Sequence, residues 1–82
     1  MNSKKRKDNE SKFDFWKEAE NGNRIYWFEI KGKYDWKAKY VKEVDAEERT
    51  ISFYQEIYNE KNELVEVHYK YPEDKGHQKL KQ

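Results

Sequence analysis

The residues best suited to chemistry lie near the end of the chain, around two histidines. Glu66, His68 and Lys70 are spaced two residues apart, so on a β-strand their side chains share one face. A carboxylate, an imidazole and an ammonium group on one surface could act as general acid and base, for example in cleaving a phosphodiester. A tight bend before His77 could return it toward His68. The predicted catalytic residues are therefore Glu66, His68, Lys75 and His77, with an ordinary solvated strand face as the alternative interpretation.

The same region does not predict a metal or cofactor site. The two histidines are nine residues apart, which matches no recognised ligand spacing. Without cysteine, neither a thiolate site nor a disulfide can form. The three glycines are isolated, so no glycine-rich phosphate loop exists, and the serines lack the context of a nucleophile elbow. We expect no cofactor and no metal, and whether the chain is an enzyme stays open.

A second candidate site is a run of lysines in the middle of the chain. Lysines 31, 33, 37, 39 and 42 lie within twelve residues and are opposed only by Asp35. Lysines beside aromatic rings on a sheet suit phosphate contact and base stacking. The alternative is a solvated strand whose lysines protect an edge from aggregation. The residues predicted to bind nucleic acid are Lys31, Lys33, Lys37, Lys39, Trp36 and Lys70.

Composition sets limits on both sites. The chain has 82 residues, of which 34% are hydrophobic and 43% charged, so one domain with a thin core is expected. Aromatic residues make up 17% and supply much of the area that such a core can bury. The net charge of +1 creates no global field, so a binding surface needs local segregation of charge. No apolar run suits a signal peptide or a membrane span, which favours a cytoplasmic protein without membrane contact. The Lys- and Glu-rich, cysteine-free composition is thermophile-like.

The first 20 residues predict an arm and a helix. Residues 1–10 are rich in Lys and Arg and nearly free of apolar side chains, which indicates a disordered basic arm that either contacts phosphates or is simply solvated. The segment from Ser11 to Glu20 is ambiguous. Phe13 and Trp16 follow helical spacing, whereas Phe13 and Phe15 alternate as in a strand. We interpret this segment as a short helix that lies across the sheet.

The rest of the chain reads as four antiparallel strands without a crossover. The segments are Arg24–Lys31, Trp36–Val44, 51–58 and 63–71. Alternation breaks after Tyr40, which predicts a β-bulge near Tyr40 and Val41. The expected fold is therefore α+β and mainly β, a four-stranded antiparallel meander with one short N-terminal helix. It forms a single domain over residues 11–82.

The register of the last hairpin follows from its turn. Asn62 tolerates the positive φ that a type I turn with a G1 bulge requires. This turn predicts pairs of Asn59 with Glu63, Ile57 with Val65, Phe53 with Tyr69 and Ile51 with Tyr71. Such a register gathers the apolar side chains on one face. The face that carries His68 then points away from them.

The stretch from Ser52 to Lys79 resembles the TumE-type family, the toxins of small bacterial and archaeal toxin–antitoxin pairs. The matching pieces are Tyr69-Lys70-Tyr71 and Lys75-Gly76-His77, within about a third of the chain. The resemblance implies an RNA-directed toxin that a DNA-binding antitoxin neutralises. It marks Tyr71, Lys75, Gly76 and His77.

Two functions of different classes follow. The first is a small nucleic-acid-directed protein that acts on RNA or DNA as the toxin-like member of a toxin–antitoxin pair, with an antitoxin-like protein as its partner. The second is a non-catalytic module that binds a protein through its aromatic sheet face. A second copy of the chain, giving a homodimer, could also complete the thin core.

Overall fold

The computed structural model describes residues 3–74 and 76–80. For His77 it describes the backbone only. The elements in chain order are α1 (Ser3–Lys12), β1 (Phe15–Glu18), β2 (Arg24–Lys31), β3 (Lys37–Val44), β4 (Thr50–Tyr58), β5 (Leu64–Tyr71) and β6 (Gly76–Lys79). The strands form one antiparallel meander in the order β1 to β6. The mainly β class with one N-terminal helix is confirmed. The count of four strands is wrong, because the short strands β1 and β6 extend the sheet at both edges.

The helix expected at Ser11–Glu20 is wrong. The structure has a strand there, β1, whose residues Phe15 and Trp16 pair with Trp27 and Tyr26 of β2. Within β1 the rings alternate, since Phe15 stacks on Trp27 and Trp16 is the register partner of Tyr26 on the other face. Phe13 precedes β1 and packs on Tyr26, so it does not share a face with Phe15.

The helix lies earlier, in the segment predicted to be a disordered arm. Residues 3–12 contain good helix formers and neither Gly nor Pro, so nothing in them opposes a helix. α1 docks through polar side chains spaced three and four residues apart, which lie on one helix face: Arg6, Asn9 and Glu10. Asn9 is only 5% exposed. Apolar periodicity cannot detect such a helix, since its buried side chain is an amide.

The sheet has two faces, which we name by what covers them. The helix face carries the core residues Tyr26 and Val44, on which Phe13 packs immediately after α1. Its rings continue across the strands, with Phe28 stacked on Tyr40 at 4.9 Å between centroids. The opposite face carries its own aromatic layer, the stacked pair of Phe15 and Trp27 and the tilted pair of Tyr54 and Tyr69. The aromatic content is thus divided between both sides of the sheet.

The predicted hairpin register holds at the turn and is wrong beyond it. Asn62 has φ 63° and Asn59 donates its N–H to the Glu63 carbonyl at 3.0 Å, as expected. Two irregularities in β5 then leave Val65 and Lys70 without a register partner in β4. As a result, Ile57 faces Glu66 and Tyr54 faces Tyr69. A bulge moves every later side chain by one position, which the alternation of residues does not reveal. The Tyr40–Val41 bulge is also misplaced, because the β3–β4 irregularity lies at Glu43 and Val44.

The β3–β4 turn has the same backbone hydrogen bonds as the β4–β5 turn. Asp45 occupies the position of Asn59, and its side chain accepts the N–H groups of Glu47 and Arg49 at 2.9 Å. Glu48, at φ 64°, occupies the position of Asn62. Left-handed backbone suits Asn and disfavours Glu, so tertiary contacts must hold Glu48 there.

The turns alternate between the two ends of the sheet. The β2–β3 and β4–β5 turns lie at one end, while the β3–β4 turn and α1 lie at the other. β3 connects the ends, and its eight residues span roughly 25 Å. No helix in the described residues is long and apolar enough to cross a membrane.

Candidate nucleic-acid interface

A groove of about 610 Å³ lies between α1 and the helix face. Its lining consists of four cations, three aromatic rings and a threonine: Lys5, Lys12, Lys42, Arg49, Phe13, Phe53, Tyr71 and Thr50. None of these residues is acidic, whereas the adjoining pocket that shares Lys5, Lys12 and Lys42 is also lined by Asp8 and Glu48. The volume of the groove lies within the usual range of small-ligand sites. We name this groove the basic groove.

The cations of the basic groove repel one another. Lys42 is half-buried, and its pKa is lowered by burial first and then by the charge of Lys12. The charge of Glu48 acts in the opposite direction, and that of Lys5 lowers the pKa further. Its ammonium donates to Oδ1 of Asn9 at 2.9 Å. An amide oxygen orients the ammonium without neutralising it, so the positive charge remains available to an anion.

The wall of the groove rests on a buried carboxylate. Glu48 is 3% exposed and accepts hydrogen bonds from Arg6 at 3.0 Å, Asn9 at 3.1 Å and the Tyr26 hydroxyl at 2.9 Å. Burial opposes its ionisation, but these three donors outweigh burial and lower the pKa of Glu48. They also explain its left-handed backbone. The four residues, which we call the Glu48 network, attach α1 to the sheet and thereby place Lys5 and Lys12 over the groove.

A second ion-pair system joins α1 to the sheet edge. Arg24 is 5% exposed and contacts Glu10 of α1 at 2.8 Å and Glu18 of β1 at 3.3 Å. Its guanidinium lies 3.8 Å from the centroid of the Trp16 ring. Burial lowers the pKa of Arg24, but hydrogen bonds to Glu10 and Tyr26 outweigh it and leave that pKa raised. Arg24 is therefore charged and holds three elements together.

Lys70 lies beyond the groove on the same face. Its ammonium is 5.4 Å from the centroid of Tyr40 and 6.0 Å from that of Phe53, which lines the groove. The cations and rings of the basic groove therefore continue onto β4 and β5. Lys70 is the only residue predicted to bind nucleic acid that lies next to the groove within the described structure.

The predicted lysine run divides into two groups. Lys37 and Lys39 lie on the opposite face, where Lys37 contacts Glu29 at 3.7 Å and Lys39 lies 5.1 Å from the Trp27 ring centroid. Glu29 and Glu56 are the register partners of Lys39 on its two sides. These two carboxylates are distant from Lys39 in the sequence but adjacent to it in the sheet, and they reduce the positive charge of this face. The other predicted residues, Lys31, Lys33 and Trp36, lie at the β2–β3 turn.

The histidine region is arranged differently from the prediction. Because of the Val65 bulge, His68 faces Gln55, which lies on the helix face and donates to the Tyr40 hydroxyl at 3.0 Å. The expected position of His68 on the face away from the apolar side chains is therefore wrong. In β6, His77 is the register partner of His68, and Lys79 is that of Glu66. Lys75 and the side chain of His77 lie outside the described residues.

Asp74, which the sequence did not single out, contacts His68 in the described part of the chain. Its Oδ1 lies 2.6 Å from Nε2 of His68 and also accepts the N–H of Gly76 at 2.9 Å. The Gly76 N–H and then His68 lower the pKa of Asp74. Nδ1 of His68 is buried, so in this conformation neither ring nitrogen faces a substrate. The pair closes the connection between β5 and β6, and acid–base catalysis by His68 stays a prediction that requires Asp74 to move.

Sequence reasoning missed most of the basic groove. Lys42 is two residues from Tyr40 in β3, so the two side chains lie on one face and Lys37 and Lys39 lie on the other. The two-residue repeat of a strand was therefore enough to separate Lys42 from the other lysines of the run. Glu48 lies in a polar turn, where a carboxylate is ordinarily solvated, and nothing in the sequence marks it as buried. Lys5 comes from the predicted arm and Lys12 from the predicted helix, and only the docked position of α1 brings them to Lys42.

Comparisons with protein-family models, curated proteins and solved structures find no match to this chain. Within the described residues, no group of His, Asp and Glu is arranged to hold a metal ion. The basic groove is therefore the feature from which a function can be inferred.

Proposed function

We propose that this protein is a small nucleic-acid-binding protein that holds the phosphate backbone of a single strand in the basic groove. The observation that carries the proposal is the grouping of Lys5, Lys12 and Lys42 around aromatic side chains, beside Arg49, which also contacts Asp45 at 2.9 Å. Protein cations bind phosphates through charge and counterion release, largely independently of sequence. With a net charge of only +1, such a grouping is local segregation of charge.

The aromatic side chains favour a single strand over a duplex. Tyr71 is 46% exposed and lines the groove next to Phe53, so a ring is accessible beside the cations. Bases of a single strand can stack on such a ring, whereas those of a duplex are already stacked on each other.

The test compares two double variants of α1 in a titration with a fluorescently labelled single-stranded RNA. Lys5→Gln with Lys12→Gln removes two cations of the groove. Lys4→Gln with Lys7→Gln removes the same charge from exposed positions on the same helix that do not line it. We expect the first variant to bind more weakly, with the slope of log K against log salt reduced by about 0.7 for each phosphate that is no longer neutralised. The second variant should bind like the wild type.

Two results would contradict the proposal. One is the absence of RNA and DNA binding at low salt by the folded wild-type protein. The other is an equal reduction of affinity in both double variants, since this would show a nonspecific effect of net charge rather than a site. Circular dichroism of each variant checks that α1 remains helical.

The narrower proposal is that the chain is the toxin of a toxin–antitoxin pair and cleaves RNA with His68 and His77. It is supported by the resemblance to the TumE-type family and by the register pairing of these two residues in adjacent strands. A gene for a small helix-turn-helix protein next to this one would support an antitoxin partner. RNA cleavage that survives the combined changes His68→Ala and His77→Ala would overturn the catalytic role.

A further inference from the structure

The β2–β3 turn, at the far end of the sheet from the basic groove, has an unusual residue at its tip. Tyr34 and Asp35 form the centre of a two-residue turn closed by the Trp36 N–H and the Lys33 carbonyl at 3.1 Å. Both have positive φ, 60° for Tyr34 and 64° for Asp35. Asn, Asp and Gly normally fill such a turn, because a bulky side chain is strained there. Tyr34 is nevertheless 86% exposed, so no packing in the described structure compensates for the strain.

The turn that carries Tyr34 is firmly supported. The indole N–H of Trp36 donates to Oε2 of Glu60, in the neighbouring β4–β5 turn, at 2.6 Å. The backbone N–H of Glu60 and then this indole lower the pKa of the Glu60 carboxyl. Gly32 also donates its N–H to the Trp36 carbonyl at 2.7 Å. An aromatic ring on a supported turn loses little conformational entropy on binding.

The turn segment that carries Tyr34 is rich in lysine, although Glu60 of the neighbouring turn adds a carboxylate beside Trp36. The segment from Lys31 to Lys37 contains three lysines, Lys31, Lys33 and Lys37, and one acidic residue, Asp35. Lys37 is paired with Glu29, whereas Lys31 and Lys33 are exposed and have no carboxylate within 4.0 Å among the described residues. An exposed ring and two such lysines in one short segment suit a base and its adjacent phosphates.

We infer that Tyr34 is a second contact for the single strand bound in the basic groove, stacking on a base while Lys31 and Lys33 contact the adjacent phosphates. This inference rests on the proposed function. β3 separates the two sites by roughly 25 Å, which exceeds the reach of a dinucleotide but not that of a strand of about twelve nucleotides. A short strand can therefore occupy one site only, whereas a long strand can occupy both and gain affinity through effective concentration.

The test measures the affinity of Tyr34→Asn for an RNA dinucleotide and for a single-stranded RNA of about twelve nucleotides, chosen to be shorter and longer than this span. Asn suits the left-handed turn, so this variant should fold with a midpoint of thermal unfolding raised by roughly 4–8 °C. We expect it to bind the long strand about tenfold more weakly, because no ring remains on which a base can stack. Its affinity for the short strand, which the groove holds, should not change. Tyr34→Phe keeps the ring and should bind both strands like the wild type.

The two proposals can fail separately. If the wild type binds neither RNA, the basic groove itself is refuted. If it binds both and Tyr34→Asn binds the long strand with unchanged affinity, the groove stands and the role of Tyr34 is overturned. An equal reduction for the long and short strands would also overturn it, because the two sites would then not be separate.

Discussion

The Tyr26 hydroxyl donates a hydrogen bond of 2.9 Å to Oε2 of Glu48, although the two residues are 22 positions apart and both are buried. Glu48 lies in a tight turn with a left-handed backbone, and Tyr26 lies in the middle of the sheet core. Their contact converts a surface turn into the anchor of α1, since the same carboxylate accepts bonds from Arg6 and Asn9. The basic groove exists only while this anchor holds.

Removing the charge of Glu48 should destabilise the protein. Glu48→Gln keeps the shape but weakens three hydrogen bonds to a buried carboxylate, so we expect the free energy of unfolding to fall by about 1–3 kcal/mol. Glu48→Ala should lower it by about 3 kcal/mol or more, because it leaves Arg6 and the Tyr26 hydroxyl without their acceptor. Urea denaturation followed by circular dichroism measures both. Glu20→Gln, an exposed change of equal charge, should have little effect, and an effect equal to that of Glu48→Gln would contradict the anchor.

The same carboxylate predicts a dependence of stability on pH. The pKa of Glu48 is lower in the folded protein than its ordinary value of 4.5, so the unfolded chain binds the proton more readily. The stabilisation from Glu48 is therefore complete above pH 4.5 and is lost as the pH falls through the lower pKa of the folded state. Glu48→Gln should lose less stability than the wild type between neutral pH and that range. Parallel curves of unfolding free energy against pH for the two proteins would show that Glu48 does not titrate in this way.

Replacing Arg24 tests the junction of α1, β1 and the sheet. Lys carries the same charge but lacks the planar guanidinium, whose separate nitrogens contact Glu10 and Glu18 and whose face stacks on Trp16. We expect Arg24→Lys to lower the free energy of unfolding by about 1–3 kcal/mol, since charged hydrogen bonds at a buried position are removed. The fluorescence of Trp16 should also change. Arg49→Lys, at an exposed pair with Asp45, is the matched control and should alter stability by less than about 1 kcal/mol.

The lysines of β3 provide a comparison with the basic groove. Lys37 and Lys39 lie on the opposite face beside Glu29 and aromatic rings, so Lys37→Gln with Lys39→Gln should change RNA affinity by less than about twofold while removing two charges. The same titration as for the α1 variants measures this. If this pair weakens binding as much as Lys5→Gln with Lys12→Gln, the strand face predicted from the sequence is the interface.

The contact between His68 and Asp74 should control how firmly β6 is held. Asp74→Asn weakens the acceptor of both the His68 ring and the Gly76 N–H, so amide exchange in β6 should become faster. Because the pKa of Asp74 is lowered in the fold, the wild type should show the same loosening as the pH falls through that pKa. Hydrogen exchange measured along the chain checks both. Exchange rates in β6 that match those of the wild type would mean that the pair has no structural role.

Local patterns in the sequence determined the strands that have strong β-formers. β2 runs from Arg24 to Lys31 as predicted, and the positive φ of Asn62 follows from the chemistry of its turn. These features depend on neighbouring residues, whose effect can be read from alternation and turn composition. The mainly β class followed from them.

Tertiary structure decided the rest, because the decisive contacts are polar and distant in sequence. Asn9 and Glu48 are 39 positions apart, and no periodicity marks either as buried. Once they meet, α1 becomes a docked helix rather than a solvated arm, and Lys5, Lys12 and Lys42 come together. The bulges at Val65 and Lys70 likewise shift the register without a signal in the residue pattern, so His68 and Lys70 join the helix face. The sequence alone specified which side chains could bind a phosphate, and only the fold determined which of them share a groove.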